Sequence, residues 1–247
     1  MIHLIEDFLT SRQLSTNSQK AYRYDLKQFL ALTRDQLTPF KLELYKQSVA
    51  QLSLSARKRK YSAVNQFLHY LYQIGYCDRF MQLDEAIRLQ RSSEQDYQLR
   101  DLTVLEKESK HTVGQLIALL IYHLGLTPSQ IAMLKQDDID LNFNVLSTRT
   151  AKQVQVLSLP KLLPTFLAPF MDSQKTYLIE HHGQPYSRQW YFQQLRLFLV
   201  AVNCADLSAQ SLRQQFILAQ KAQGASLLAI SQQLGLKSPV TLEKYFK

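Results

Sequence analysis

Four consecutive cations, Arg57-Lys58-Arg59-Lys60, have the type and spacing to do chemistry on a polyanion. Guanidinium and ammonium groups in such a run neutralise phosphates and release their counterions; the plain alternative is a solvated helix face. The run belongs to a wider imbalance. The 247-residue chain carries 29 Lys/Arg against 20 Asp/Glu, a net charge of +9. Residues 1–73 hold 11 basic and 5 acidic residues, net +6, whereas residues 74–247 hold 18 and 15, net +3. Such an excess points first to nucleic acid and second to a membrane surface. A basic surface that serves only solubility explains the asymmetry less well. Cys77 and Cys204 lie far apart with no CxxC or Cys/His spacing, which argues against structural zinc and a disulfide framework and fits a reduced cytoplasmic compartment.

The elements that must position these residues are mostly helical. Hydrophobic residues at 46% and charged residues at 20% are ordinary globular values, and the length favours two domains. No apolar run approaches the roughly 18 residues of a membrane span. Glu6 and Asp7 make the first residues unlike a signal peptide, so a soluble, cytoplasmic protein is expected. Residues 1–73 show 3.6-residue stripes at Tyr22, Leu26, Phe29 and Leu30, and at Tyr61, Val64, Leu68, Leu71 and Tyr72. Ser15 to Ser18 separates the first two helices, Thr38-Pro39 opens the third, Ser53 to Ser55 caps the fourth and Gly75 suits its end. Residues 74–98 mix charge and polarity and are expected to be a linker.

From Leu102 the chain turns helical again. Thr112 to Leu124 is apolar on most faces, Gly125 ends that helix, and Thr127-Pro128-Ser129 restarts a short one through Leu134. Phe143 to Thr148 and Val154 to Leu159 alternate around a polar turn and predict a β-hairpin, expected to be the only sheet. Helices follow at about 161–171, 187–202, 208–223 and 226–235, with a short one near 240–246. The expected fold class is mainly α: a helical N-terminal domain plus a mostly helical C-terminal domain, 99–247, with one small β-hairpin.

In this order of elements several motifs recur. Leu14-Ser15 and Ala21-Tyr22-Arg23-Tyr24-Asp25-Leu26-Lys27-Gln28-Phe29 resemble the start of the core-binding domain of the tyrosine recombinases, or phage integrases, and Ser55 to Leu71 resembles its last helix. His123-Leu124-Gly125-Leu126 through Leu134, with Asp138-Ile139-Asp140, is similar to the first box of the catalytic domain. A hairpin, Leu212-Arg213, Leu234-Gly235 and Tyr245 follow in family order. The match spans nearly the whole chain and is most like a divergent, XerD-like branch of the Xer type.

The resemblance implies a reaction in which a tyrosine oxygen attacks a DNA phosphodiester and forms a 3′-phosphotyrosyl bond, later resolved by a DNA 5′-hydroxyl without metal, cofactor or small-molecule substrate. The transition state gathers negative charge. It calls for two guanidiniums, a lysine that protonates the leaving oxygen, and imidazoles. Tyr245 matches the nucleophile and Arg213 the second arginine. The other positions depart from the pattern: Thr127 stands where the first arginine is expected, Gln130 for a glutamate, Gln210 and Gln214 for histidines, and Leu236 for an imidazole or indole. Glutamine hydrogen-bonds but does not titrate. Thr150 occupies the hairpin lysine position, with Arg149 and Lys152 as nearby candidates for charge and acid, and Arg188 a further stand-in for the arginine.

Three functions follow as expectations. The first is a DNA-binding recombinase-fold protein with depleted cleavage, acting on double-stranded DNA by itself or beside an active recombinase paralogue. The second is an active site-specific recombinase, and the third a helical interaction scaffold without DNA. In the first two, Arg57, Lys58, Arg59 and Lys60 contact phosphates, because the resemblance turns that helix toward DNA.

Overall fold

The computed structural model describes residues 1–84, 97–149, 154–236 and 238–246. The chain divides into two compact units, 1–95 and 96–247.

Among its described residues unit 1 holds four helices: α1 (Ile2–Thr10), α2 (Thr16–Thr33), α3 (Pro39–Val49) and α4 (Leu54–Gln73). Ser15, Thr38 and Ser53 each accept a hydrogen bond from a backbone N–H in the first turn, and Pro39 needs no N–H partner at its position. Ser15 is thus the cap of α2 itself, and Ser18 lies within the helix. The apolar stripes meet in one core, where the Phe8 and Phe67 rings pack edge-on at 5.5 Å and Phe29 and Tyr45 at 5.0 Å. The compact region runs past Gly75. Leu83 is buried, and Asn65 on α4 both donates to its carbonyl (3.1 Å) and accepts from its N–H (2.7 Å).

Unit 2 is built around α5 (Thr112–Leu124), which carries nine buried residues and packs against both α8 (Arg188–Ala201) and α9 (Ala209–Ala222). The close approach to α8 depends on Gly114: a Cβ there would collide with the Gln194 carbonyl and Phe198 Cβ. Between α5 and α8 lie α6 (Pro128–Ala132), the strands β1 (Ile139–Asp140), β2 (Val145–Arg149) and β3 (Val154–Ser158), α7 (Leu163–Leu167), and β4 (Glu180–His181) with β5 (Gln184–Pro185). After α9 come α10 (Leu227–Gln233) and a 3-10 turn, Pro239–Tyr245.

The hairpin is therefore not the only sheet. β1 joins it, with Ile139 opposite Leu146, to give an antiparallel sheet in the order β1-β2-β3, and β4-β5 pairs separately. Residues 161–171 also break into α7 and a 3-10 turn, Ala168–Phe170, because Pro164 and Pro169 prevent one continuous helix. Among the described residues no helix is long and apolar enough to cross a membrane.

Candidate functional site

Tyr245 closes the 3-10 turn that Ser238 opens by accepting the Val240 N–H at 3.3 Å. Leu242 and Tyr245 face inward onto Phe216 and Ile217 of α9 and Ile230 of α10, with Leu234 just past α10. Lys221, in the last turn of α9, donates to the Tyr245 carbonyl at 2.6 Å and places a cation where the turn's carbonyls end. The Tyr245 ring meets Tyr97 at 4.6 Å between centroids. Only 7% of Tyr245 is exposed.

Arg213 reaches the same place from α9. Its Nη2 donates to the Leu234 carbonyl at 3.2 Å. Burial pulls the guanidinium pKa below its usual range, and only an ionised Tyr245 would act on it in the opposite sense. Two of the sequence candidates, Arg213 and Tyr245, thus both meet Leu234, the first at its carbonyl and the second in the same apolar cluster. Gly125 makes room for this wall. With φ at +69° it ends α5 in the left-handed region, and a Cβ there would lie 2.6 Å from Leu234 and 2.7 Å from Phe216.

The hairpin joins the site through a residue that sequence reasoning missed. Gln155 on β3 donates from Nε2 to the carbonyls of Gln232 (3.2 Å) and Gln233 (3.0 Å). Gln155 and Arg213 together hold the carbonyls of residues 232–234 at the end of α10, where that of Gln232 also accepts the Gly235 N–H at 2.9 Å. Nothing local in the sequence marks Gln155, since its partners lie more than seventy residues away.

The remaining candidates are placed differently. Thr127 caps α6, its Oγ1 accepting the Gln130 N–H at 3.2 Å, and Gln130 Oε1 accepts from the Thr127 N–H at 2.9 Å and hydroxyl at 2.8 Å. Arg149, at the end of β2, donates from Nε to Asp138 at 3.2 Å while most of its side chain is exposed. Arg188 begins α8 with its guanidinium carbon 5.3 Å from the Phe192 ring centre. Gln210 is exposed, Gln214 is half-buried, and Leu236 packs against the apolar cluster around Tyr245. Thr150 and Lys152 lie outside the described residues.

In unit 1 the basic run divides. Lys60 is buried, with Nζ 3.0 Å from Asp25 Oδ1 and 2.6 Å from Gln28 Oε1, and Arg59 Nη1 takes the other Asp25 oxygen at 2.5 Å. Asp25 is fully buried, so both cations help to balance its charge. Arg57 and Lys58 are half-buried. Nothing local in the sequence marks this pairing, since Asp25 lies on α2 and Lys60 on α4, 35 residues away. Lys244 was missed as well: it is exposed, with Nζ 4.8 Å from the Tyr245 ring centre and 5.5 Å from that of Tyr97.

No protein-family model matches the sequence. Solved structures do match over the whole length. A XerH site-specific recombinase bound to its difH substrate in a pre-cleavage complex superposes with a TM-score of 0.73 at 14% identity, covering 100% of this chain and 82% of that one. The Tn1549 transposon integrase in complex with transposon right end DNA gives 0.73 at 12% identity, covering 99% and 94%. A lambda integrase dimer bound to a COC′ core site gives 0.69 at 15% identity, covering 98% and 92%. The fold of this chain is that of the tyrosine recombinases, the Xer type among them.

Proposed function

We propose that this chain binds double-stranded DNA in the cytoplasm and that, alone, it cuts and rejoins DNA weakly or not at all. DNA as the ligand is supported by the fold, since similar structures are complexes with DNA, and by the net +6 of residues 1–73. Unit 1 then serves as the core-binding domain and unit 2 as the recombinase-type domain. Lys58 is the member of the basic run best placed for phosphates, with Arg59 shared with Asp25 and Lys60 committed to the interior.

The Thr127–Gln130 pair carries the depleted-cleavage reading. At the positions where the resemblance expects an arginine and a glutamate, both side chains are spent on capping α6. Loss of one such charge-stabilising donor lowers a rate by roughly 10²–10³, and loss of an acid or base by roughly 10²–10⁴. Arg149 and Lys152 are the sequence candidates for replacing that charge, Arg149 while also donating to Asp138, and an active paralogue could supply a complete site in a mixed assembly.

A second reading, an active recombinase, is favoured by one observation: Tyr245 and Arg213 both meet Leu234. A direct check of the DNA reading is binding to labelled duplex at increasing salt, for the natural chain and Tyr245→Phe. Salt-sensitive binding that persists in the variant is expected. Absence of salt-sensitive binding would overturn it.

A further inference from the structure

Lys244 immediately precedes Tyr245, and its ammonium lies beside a pair of phenol rings, 4.8 Å from the centre of Tyr245 and 5.5 Å from that of Tyr97. Those rings are themselves 4.6 Å apart. The side chain is exposed, so an anion can reach it from solvent. Burial pulls its pKa down, but the phenol oxygens of Tyr245, and after them of Tyr97, raise it by more, so Lys244 is a firm cation. Arg213 is anchored on the carbonyl of Leu234, which packs in the same apolar cluster as Tyr245. Besides Lys221 at its carbonyl, Tyr245 therefore has Lys244 of its own turn beside its ring and Arg213 of α9 on the neighbouring Leu234, while Thr127 offers no cation.

We propose that Lys244 and Arg213 together hold one DNA phosphate in front of the Tyr245 hydroxyl, with Lys244 supplying the positive charge that Thr127 does not. The inference rests on DNA being the ligand. An ammonium is a point charge without the planar fork of a guanidinium. Lys244 thus holds the phosphate without fixing its orientation, which accords with binding that outlasts efficient cleavage. Tyr97 acts as a positioning residue, because its ring forms the other wall beside the ammonium.

The experiment is duplex binding by the full chain, followed by fluorescence anisotropy between roughly 50 and 200 mM salt. The proteins are the natural chain, Lys244→Gln, Lys244→Arg, Arg213→Lys and the double variant K244Q/R213K, with melting curves to confirm that each is folded. Lys244→Gln is expected to weaken binding about threefold or more at the low-salt end and to reduce the log–log salt slope by about one. Lys244→Arg is expected to restore the slope. If both cations share one phosphate, the double variant loses less affinity than the product of the single losses. An unchanged slope in Lys244→Gln, or strictly multiplicative losses, overturns the shared-phosphate site while leaving DNA binding intact. A natural chain that shows no salt-dependent binding overturns the DNA reading itself, and this proposal with it.

Discussion

Thr127 and Gln130 complete each other's hydrogen bonds at the start of α6, the threonine hydroxyl accepting from the Gln130 backbone and the Gln130 side-chain oxygen accepting twice from Thr127. The two departures from the recombinase pattern therefore form one structural unit. Arginine at 127 would lose the cap, and the Gln130 side chain would keep only the backbone N–H of residue 127 of its two donors.

Thr127→Arg consequently separates stability from chemistry. Removing the capping hydroxyl is expected to lower stability by about 1 kcal/mol, read from denaturant unfolding. The same change returns a guanidinium to the position where the resemblance expects one. Covalent adduct formation on nicked duplex is expected to rise above that of the natural chain, with a ceiling on the order of 10²–10³-fold. A stability loss with no gain in adduct would mean that the other departures, at Gln210 and Leu236, limit the reaction.

Within the basic run, Lys60 and Lys58 are expected to behave oppositely. Lys60→Met removes one of two cations facing the fully buried Asp25 and is expected to lower stability by about 2–3 kcal/mol, below the full loss of a buried pair because Arg59 remains. Lys58→Ala is expected to change stability by less than about 0.5 kcal/mol while weakening duplex binding. Unfolding curves and anisotropy on the same two proteins check the contrast.

Gly114→Ala tests the packing of α5 against α8. Alanine favours a helix by about 1 kcal/mol over glycine, yet its Cβ would meet the Gln194 backbone of α8. Overpacking of this kind costs about 1–3 kcal/mol, and because the obstacle is backbone the upper part of that range is expected, for a net loss. A more stable variant, measured by melting temperature, would contradict the close α5–α8 approach.

His123, in the last turn of α5, gives the fold a pH dependence. Burial lowers its pKa from the usual 6.5, and the Glu106 carboxylate, 3.4 Å from Nε2, offsets part of that effect. The unfolded chain then binds more protons than the folded one in the interval below pH 6.5. Stability falls as pH drops from 6.5 toward the lower folded value and levels off beneath it. His123→Gln is expected to flatten this part of the stability–pH curve, and an unchanged slope would assign the dependence to other groups.

Much of the helical frame was legible from local rules. The boundaries of α5, its end at Gly125 and the caps at Thr38 and Ser53 each depend on residues within one or two turns. The two-residue strands β1, β4 and β5 were not legible, because two residues carry no period and their pairing depends on distant neighbours. Arg213 and Tyr245 could be picked out by motif, but their meeting beside Leu234 depends on the turn at Gly235 and on the carbonyls held by Gln155. The basic run was visible as charge. That Lys60 turns inward was not, since Asp25 lies on another helix 35 residues away.

The central claim is that the Tyr245 site is present but depleted. The most direct measurement is the yield of denaturant-resistant protein–DNA adduct on nicked, labelled duplex fragments that the chain is first shown to bind, with Tyr245→Phe alongside. The account expects duplex binding with little or no adduct from the natural chain. Abundant adduct that disappears in Tyr245→Phe would contradict it and establish a working recombinase.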